Sequence, residues 1–370
     1  MSSGSKNEAQ LEQTSGRHGC LAKGTAMNVL MPTTVVGSLP QPDWLVRKDV
    51  MLTSAPPRVR LKTIWRVEEP YLEEAQDDAT AQAVRMQEAA GIDIITDGEI
   101  RRESYFNRFA NALGGIDIDN PAEVEGRHGT RQIVPRVVGE IRRTHPVQVR
   151  DVEFLRALTS KPIKITVPGP FTMMRLAKDE FYGDKRALLM AYAKVVNEEV
   201  HDYKKAGADI VQLDEPFMES FVGEANEFAV DGINRSLEGI TETTVVHLCF
   251  GYGHYVKVDK PNTYSFLAPL NACAAHQISI EAAQPNLDPR TLDMLPDKVV
   301  MYGVLDLKDH RLETPEIVAQ RIRGALRHVT PKRLVIAPDC GMKYLPRFVA
   351  FAKLEAMVAG RDIARAELKA

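Results

Sequence analysis

The chain has 370 residues, with 47 Lys and Arg against 50 Asp and Glu, and 44% of its residues are hydrophobic. That apolar share suffices for a full core and excludes an intrinsically disordered chain. The formal charge of −3 carries no basic excess, so neither nucleic acid nor an anionic membrane surface is an expected partner. No run of about 18 apolar residues suggests a membrane-spanning helix.

Residues Met1 to Leu30 are mostly polar and small, without the apolar stretch of a secretory signal. We read residues 1–30 as a flexible tail and 31–370 as the folded unit. Four cysteines (Cys20, Cys249, Cys273 and Cys340) are too few for a disulfide framework and predict a cytoplasmic chain.

Short runs rich in Val and Ile then recur, each followed by Gly, Pro or an acidic residue. In chain order they are Thr33–Ser38, Ile92–Thr96, Pro162–Val167 and Asp209–Asp214, then Thr244–Cys249, Gln277–Glu281, Val299–Leu305 and Arg333–Ala337. Continuous apolar runs of this length fit strands buried on both faces, as a parallel sheet requires. Helical spacing lies between them. Tyr71–Ala90 ends at Gly91 and Lys185–Ala206 at Gly207, each directly before a strand, and Thr314–His328 opens with a Thr-Pro-Glu start signal. Eight strands alternating with helices predict a single α/β chain closed as a (β/α)8 TIM-type barrel. An open doubly wound sheet would carry a glycine-rich phosphate turn after its first strand, and Gly37-Ser38-Leu39-Pro40 is not one. The stretch from Arg101 to Ser160 exceeds one helix, so an insertion between strands 2 and 3 is expected, around Gln132–Ile141.

In such a barrel the chemistry sits at the carboxyl ends of the strands. Strand five ends His247-Leu248-Cys249, strand six ends at Glu281, and strand eight runs into Asp339-Cys340. His247 and Cys249 are two apart on a strand and share a face. Two thiols, an imidazole and a carboxylate on one rim make a tetrahedral zinc set, whose soft sulfurs argue against magnesium or calcium. A free cysteine is also an ordinary small core residue; a lone carboxylate in a barrel is less easily accommodated without a partner.

These residues carry a resemblance. HLCFG, SIEAA and APDCGMKYLP resemble the metal-ligand motifs of the cobalamin-independent methionine synthase family, in its catalytic C-terminal barrel. VVGSLPQP, TDGEIRRESYFNRF, VPGPFTMM, VQLDEPFM and GVLDLKDH resemble, in family order, the motifs of strands one to four and seven. The resemblance covers about residues 31–365. It implies that His247, Cys249, Glu281 and Cys340 hold zinc. It further implies that Ser38, Glu99 and Asp214 hold the amino-acid part of homocysteine, and that Asp306 orients groups near the site. The implied reaction moves a methyl group from a donor to the homocysteine thiol, giving methionine.

The chain differs from folate-using members at two places that touch the donor. No Trp follows Gly169-Pro170, and Lys308 stands where those members place a proton-donating His, with His310 two residues on. Lys308 and His310 are therefore the candidate acids. Transfer to another thiol such as coenzyme M, a donor such as methylcobalamin, and a structural zinc in a non-catalytic barrel are the alternatives. Arg101, Arg102 and Tyr105 follow Glu99 as candidates for an anionic substrate group, and Tyr252 and His254 sit in a glycine-flanked loop near the metal motif. Trp44 and Trp65 are candidate pocket walls.

Overall fold

A computed structural model describes residues 29–52, 56–253 and 259–369. Its strands, in chain order, are β1 (Ile95–Thr96), β2 (Gly114–Glu125), β3 (Arg131–Arg142), β4 (Ile163–Pro168) and β5 (Lys178–Asp179). They continue with β6 (Ile210–Asp214), β7 (Thr244–His247), β8 (Gln277–Ile280), β9 (Val299–Gly303) and β10 (Leu334–Ala337). Seven of them pair in the order β1-β4-β6-β7-β8-β9-β10, every pair parallel. Thr33 bridges Ile336 of β10, and Thr34 bridges Ile94 beside β1, both parallel. This short segment takes the eighth place, and the chain is the (β/α)8 barrel that the strand count predicts.

The first strand is shorter than its apolar run because pairing stops after Thr34. The carbonyl of Val36 accepts instead from the side chains of Lys164 (3.0 Å) and Gln212 (2.9 Å) inside the barrel. Side-chain alternation divides the core into two layers. Ile163, Ile165, Val167, Val211 and Leu213 pack outward in the large cluster shared with the helices. Val36, Ile94, Ile210, Val245, Met301, Val335 and Ala337 form a separate cluster that fills the barrel interior.

The helices Leu72–Ala89 and Lys185–Lys205 end as read from the sequence, before Gly91 (φ 83°) and Gly207 (φ 101°). At both, the left-handed backbone turns the chain into the next strand. Helix Pro315–Ala325 starts with Thr314 accepting from the Ile317 amide and Pro at its first position.

Between the second and third barrel positions lies an antiparallel hairpin of β2 and β3, with β5 added parallel to β3. Its tip bends back over the barrel mouth, where Arg127 donates to the carbonyl of Pro216 (2.5 Å), just past β6. Among the described residues, no helix is long and apolar enough to cross a membrane. The tail residues up to 28, with Cys20, and His254 lie outside the described residues.

Candidate active site

A cavity of about 400 Å3 opens at the carboxyl ends of the strands. His247, Cys249 and Cys340 line it, and their ligand atoms all lie within 4.8 Å of one another. His247 is the last residue of β7, and Nδ1 of its ring meets Ser279 Oγ at 2.9 Å on the neighbouring strand. That contact fixes the ring, and Nε2 is left buried without a hydrogen-bond partner. An outer hydrogen bond on one imidazole nitrogen with the other free is how metal-bound histidines are held. The thiols hydrogen-bond each other, which holds Cys249 well below its ordinary range and pushes Cys340 up. One proton shared by two sulfurs is readily displaced by a soft divalent cation. These three donors fit a zinc ion.

Glu281 is not in that cluster. It follows β8, fully buried, with Oε1 accepting from the Phe250 amide at 3.0 Å and Oε2 in an ion pair with buried Lys260. Burial raises its pKa to about 8, against the lowering effect of Lys260.

The wall beside the sulfurs carries Ser38, Glu99 and Asp214. Glu99 stands in a turn after β1, where Gly98 (φ 63°) and Glu99 itself (φ 53°) are left-handed. The amides of Gly98 and Glu99 donate to Thr96 and Asp97, which holds the turn. Glu99 Oε1 accepts from Thr166 at 3.1 Å, and Oε2 is buried without a partner. A Cβ on Gly37 would collide with this carboxyl, so glycine is required there. Burial raises the Glu99 pKa to about 7, with the nearby Asp214 carboxylate adding to it. Asp214 ends β6 and accepts from Gln212 at 2.8 Å; burial raises its pKa too. Ser38 Oγ is buried and unpartnered, and Gly341 leaves it room. Two carboxyls and a hydroxyl, with Glu99 Oε2 and Ser38 Oγ unsatisfied, suit an ammonium and a carboxylate on one small molecule.

Asp306, Lys308 and His310 lie to one side. The Asp306 carboxylate accepts from the Lys308 amide at 2.8 Å. Lys308 and His310 line a crevice of about 30 Å3, which shares Tyr252 and Gly341 with the main cavity. Arg101 and Arg102 form neither an anion site nor a solvated face. Both are buried, Arg101 paired with Asp77 and Asp151, and Arg102 with Asp97 and the Thr166 carbonyl. Glu215 is also structural: it accepts from the amides of Phe171 and Thr172 at the start of helix Pro170–Arg175. Trp44 is exposed and Trp65 lines a separate surface groove. Tyr105 and Tyr252 do line the cavity. Cys273 is buried in the core.

Sequence reasoning did not find Arg58, Arg127, Phe217 or Lys260. Arg58 and Arg127 sit in segments with no motif, and only the fold brings them to the cavity. Lys164 was legible in principle, as the one charge in the apolar strand Ile163–Pro168, and its amine points into the barrel, toward the Val36 carbonyl and Gln212.

A parallel barrel with an imidazole and two thiols beside a carboxyl-lined pocket defines an enzyme that acts on small molecules at its strand ends. Residues 31–362 match the family described as "Cobalamin-independent synthase, Catalytic domain". The chain is 35% identical over 342 residues to a methionine synthase of Sulfurisphaera tokodaii, covering 92% of this chain and 94% of that one. It is 34% identical, over the same shares, to a methionine synthase of Sulfolobus acidocaldarius. A solved B12-independent methionine synthase from Shewanella sp. W3-18-1, in complex with selenomethionine, superposes with a TM-score of 0.83. That structure is 33% identical and covers 92% of this chain and 99% of its own. The chain belongs to the cobalamin-independent methionine synthase family, and it is a methyltransferase of that type.

Proposed function

We propose that this chain is a zinc-dependent methyltransferase that methylates the thiol of homocysteine to give methionine. The observation that carries this reading is that the free Nε2 of His247 and the two thiols share one cavity with Ser38, Glu99 and Asp214. His247, Cys249 and Cys340 would hold the metal, with Glu281 as the fourth ligand once it leaves Lys260. Zinc bound there would lower the pKa of a substrate thiol and supply it as a thiolate.

The chain's own residues do the rest. Ser279 fixes the His247 ring. Glu99 and Asp214 take the substrate ammonium, and Ser38 donates to its carboxylate, so the sulfur is delivered to the metal end of the cavity. Lys308 or His310 supplies the proton that neutralises the departing donor, through the crevice shared at Tyr252 and Gly341. A sulfonate thiol such as coenzyme M has no ammonium and would face the Glu99–Asp214 wall unfavourably, which supports homocysteine.

Cys340→Ala should remove stoichiometric zinc and methionine formation together. Full transfer by a zinc-free variant would overturn the reading. A donor screen with methyltetrahydrofolate, as mono- and polyglutamate, and with methylcobalamin identifies the methyl source.

A further inference from the structure

The cavity has a second wall, opposite in charge to the first. Arg58 is 7% exposed, and its Nε and Nη1 are buried with no hydrogen-bond partner. Its guanidinium lies 5.2, 5.7 and 5.9 Å from the ring centroids of Tyr105, Phe106 and Phe217. Arg127, at the hairpin tip, packs 4.6 Å from the same Phe217 ring, and its Nε is buried without a partner. The Tyr105 hydroxyl is also buried and unpartnered. Arg58, Arg127, Tyr105 and Phe217 all line the cavity that holds the sulfurs.

Among the described residues neither arginine has a carboxylate partner, unlike buried Arg101, Arg102 and Arg361, which pair with Asp77, Asp97 and Asp93. Aromatic faces offset part of a guanidinium's charge, but they accept none of its in-plane N–H bonds. Leaving such donors buried and unmet costs free energy, and a planar fork of this kind suits a two-oxygen anion.

We propose that Arg58, Arg127 and the Tyr105 hydroxyl form a recognition site for an oxyanion, a carboxylate or phosphate group carried by the methyl donor. The proposal rests on the homocysteine reading, in which Glu99, Asp214 and Ser38 already meet both ionic groups of the amino acid. The donor then enters from the hairpin side, its acidic group on the arginines and its methyl toward the sulfurs. Because Arg127 belongs to the hairpin and Arg58 to the segment after the first barrel strand, the site exists only when the hairpin tip is folded over the mouth.

The test uses the zinc-loaded full chain, with inorganic phosphate as the probe for the donor's anion and methionine as the probe for the amino-acid wall, both by calorimetry. Arg127→Gln, at the half-buried hairpin tip, is the first variant, and Arg58→Gln the second; circular dichroism and zinc content check folding. Each variant should weaken phosphate binding by at least about tenfold while methionine affinity stays within about twofold. The proposal is overturned if the unaltered protein binds no phosphate at millimolar concentration, or if Arg127→Gln binds it unchanged. It is also overturned if methionine affinity falls equally, or if coenzyme M displaces phosphate, since either outcome gives the arginines to the thiol substrate. Failure of the homocysteine reading is separate: methionine would not bind the unaltered protein, whatever phosphate does.

Discussion

Gln212 donates its side-chain amide to Asp214 at 2.8 Å, while its amide oxygen accepts from Lys164 at 2.6 Å. The lysine amine presents donors to Gln212, to the Val36 carbonyl and to Met301 Sδ, so the amide oxygen must face it. The amide nitrogen is thereby turned toward Asp214, and one carboxyl oxygen is committed to the barrel while the other faces the cavity. Burial pulls the Lys164 pKa from 10.5 to about 7, against the pull of Asp214 and Glu99, so this donor is maintained at some cost. Lys164→Met should free the Gln212 amide to rotate and weaken methionine binding by about tenfold. Zinc content should be unchanged. Calorimetry with parallel metal analysis checks both, and unaltered affinity would leave Lys164 with a packing role only.

With Glu99 as the proposed partner of the substrate ammonium, binding of the amino acid should depend on pH. Its carboxyl titrates at about 7, raised mainly by burial, with Asp214 and Asp97 adding to the rise and Arg102 and Lys343 opposing it. Below that pH the group is neutral and cannot pair fully with an ammonium. Methionine affinity should therefore fall as pH drops through about 7, and binding near neutrality should release a proton to the buffer. Glu99→Gln should bind weakly at every pH and lose this part of the profile. Titrations in two buffers of different ionisation enthalpy measure the proton release directly.

Much of this was legible in the sequence, for a physical reason. Strands such as Ile163–Pro168 and Ile210–Asp214 are buried on both faces and so are rich in Ile, Val and Leu, broken only by interior polar residues such as Lys164 and Gln212, and their C-terminal residues announce the site. His247 and Cys249 needed only the two-residue period of a strand to be placed together. Other features were set by tertiary neighbours. Nothing local to Glu281 shows that Lys260, from a loop, takes its carboxylate. Arg101 reads as a free charge because Asp77 and Asp151 come from other segments, and Arg102 because only the turn at Gly98-Glu99 brings Asp97 of the same motif back to it. The hairpin was visible as excess length, but the arrival of Arg127 at the mouth depends on how Gly114–Glu125 and Arg131–Arg142 bend together.

Gly303 links the frame of the barrel to the proposed metal ligands. A Cβ there would collide with the Asp339 carboxylate and approach its backbone. That carboxylate accepts from the amides of Ala282 (3.0 Å), Ala283 (2.9 Å) and Gln284 (2.6 Å), and so ties the segment after Glu281 to the residue before Cys340. Gly303→Ala should displace both ligand segments at once. We expect a lower melting temperature, with a loss of about 2 kcal/mol typical of core overpacking, together with less than stoichiometric zinc. Thermal unfolding and metal analysis of the same preparation test this. Normal zinc in a destabilised protein would show that the loop and the site are not coupled through Asp339.

In the proposed zinc site, the Glu281–Lys260 pair would compete with the metal for its fourth ligand. Their side chains are 0% and 1% exposed, so the ion pair is fully desolvated, and losing one partner leaves the other charge stranded. Lys260→Met should therefore destabilise the metal-free protein, by about 3 kcal/mol for a buried pair broken from one side. If Glu281 moves onto zinc when the metal binds, the loaded form has already given up this pair and loses little. The cycle then requires apparent zinc affinity to rise, by at least about tenfold, and the stabilisation gained on adding zinc to grow in step. If Glu281 instead stays on Lys260 in the loaded form, both forms lose equally and zinc affinity does not improve. Competition with a chromogenic chelator, run beside thermal unfolding with and without zinc, separates the two outcomes and shows whether His247, Cys249 and Cys340 bind the metal with Glu281 or without it.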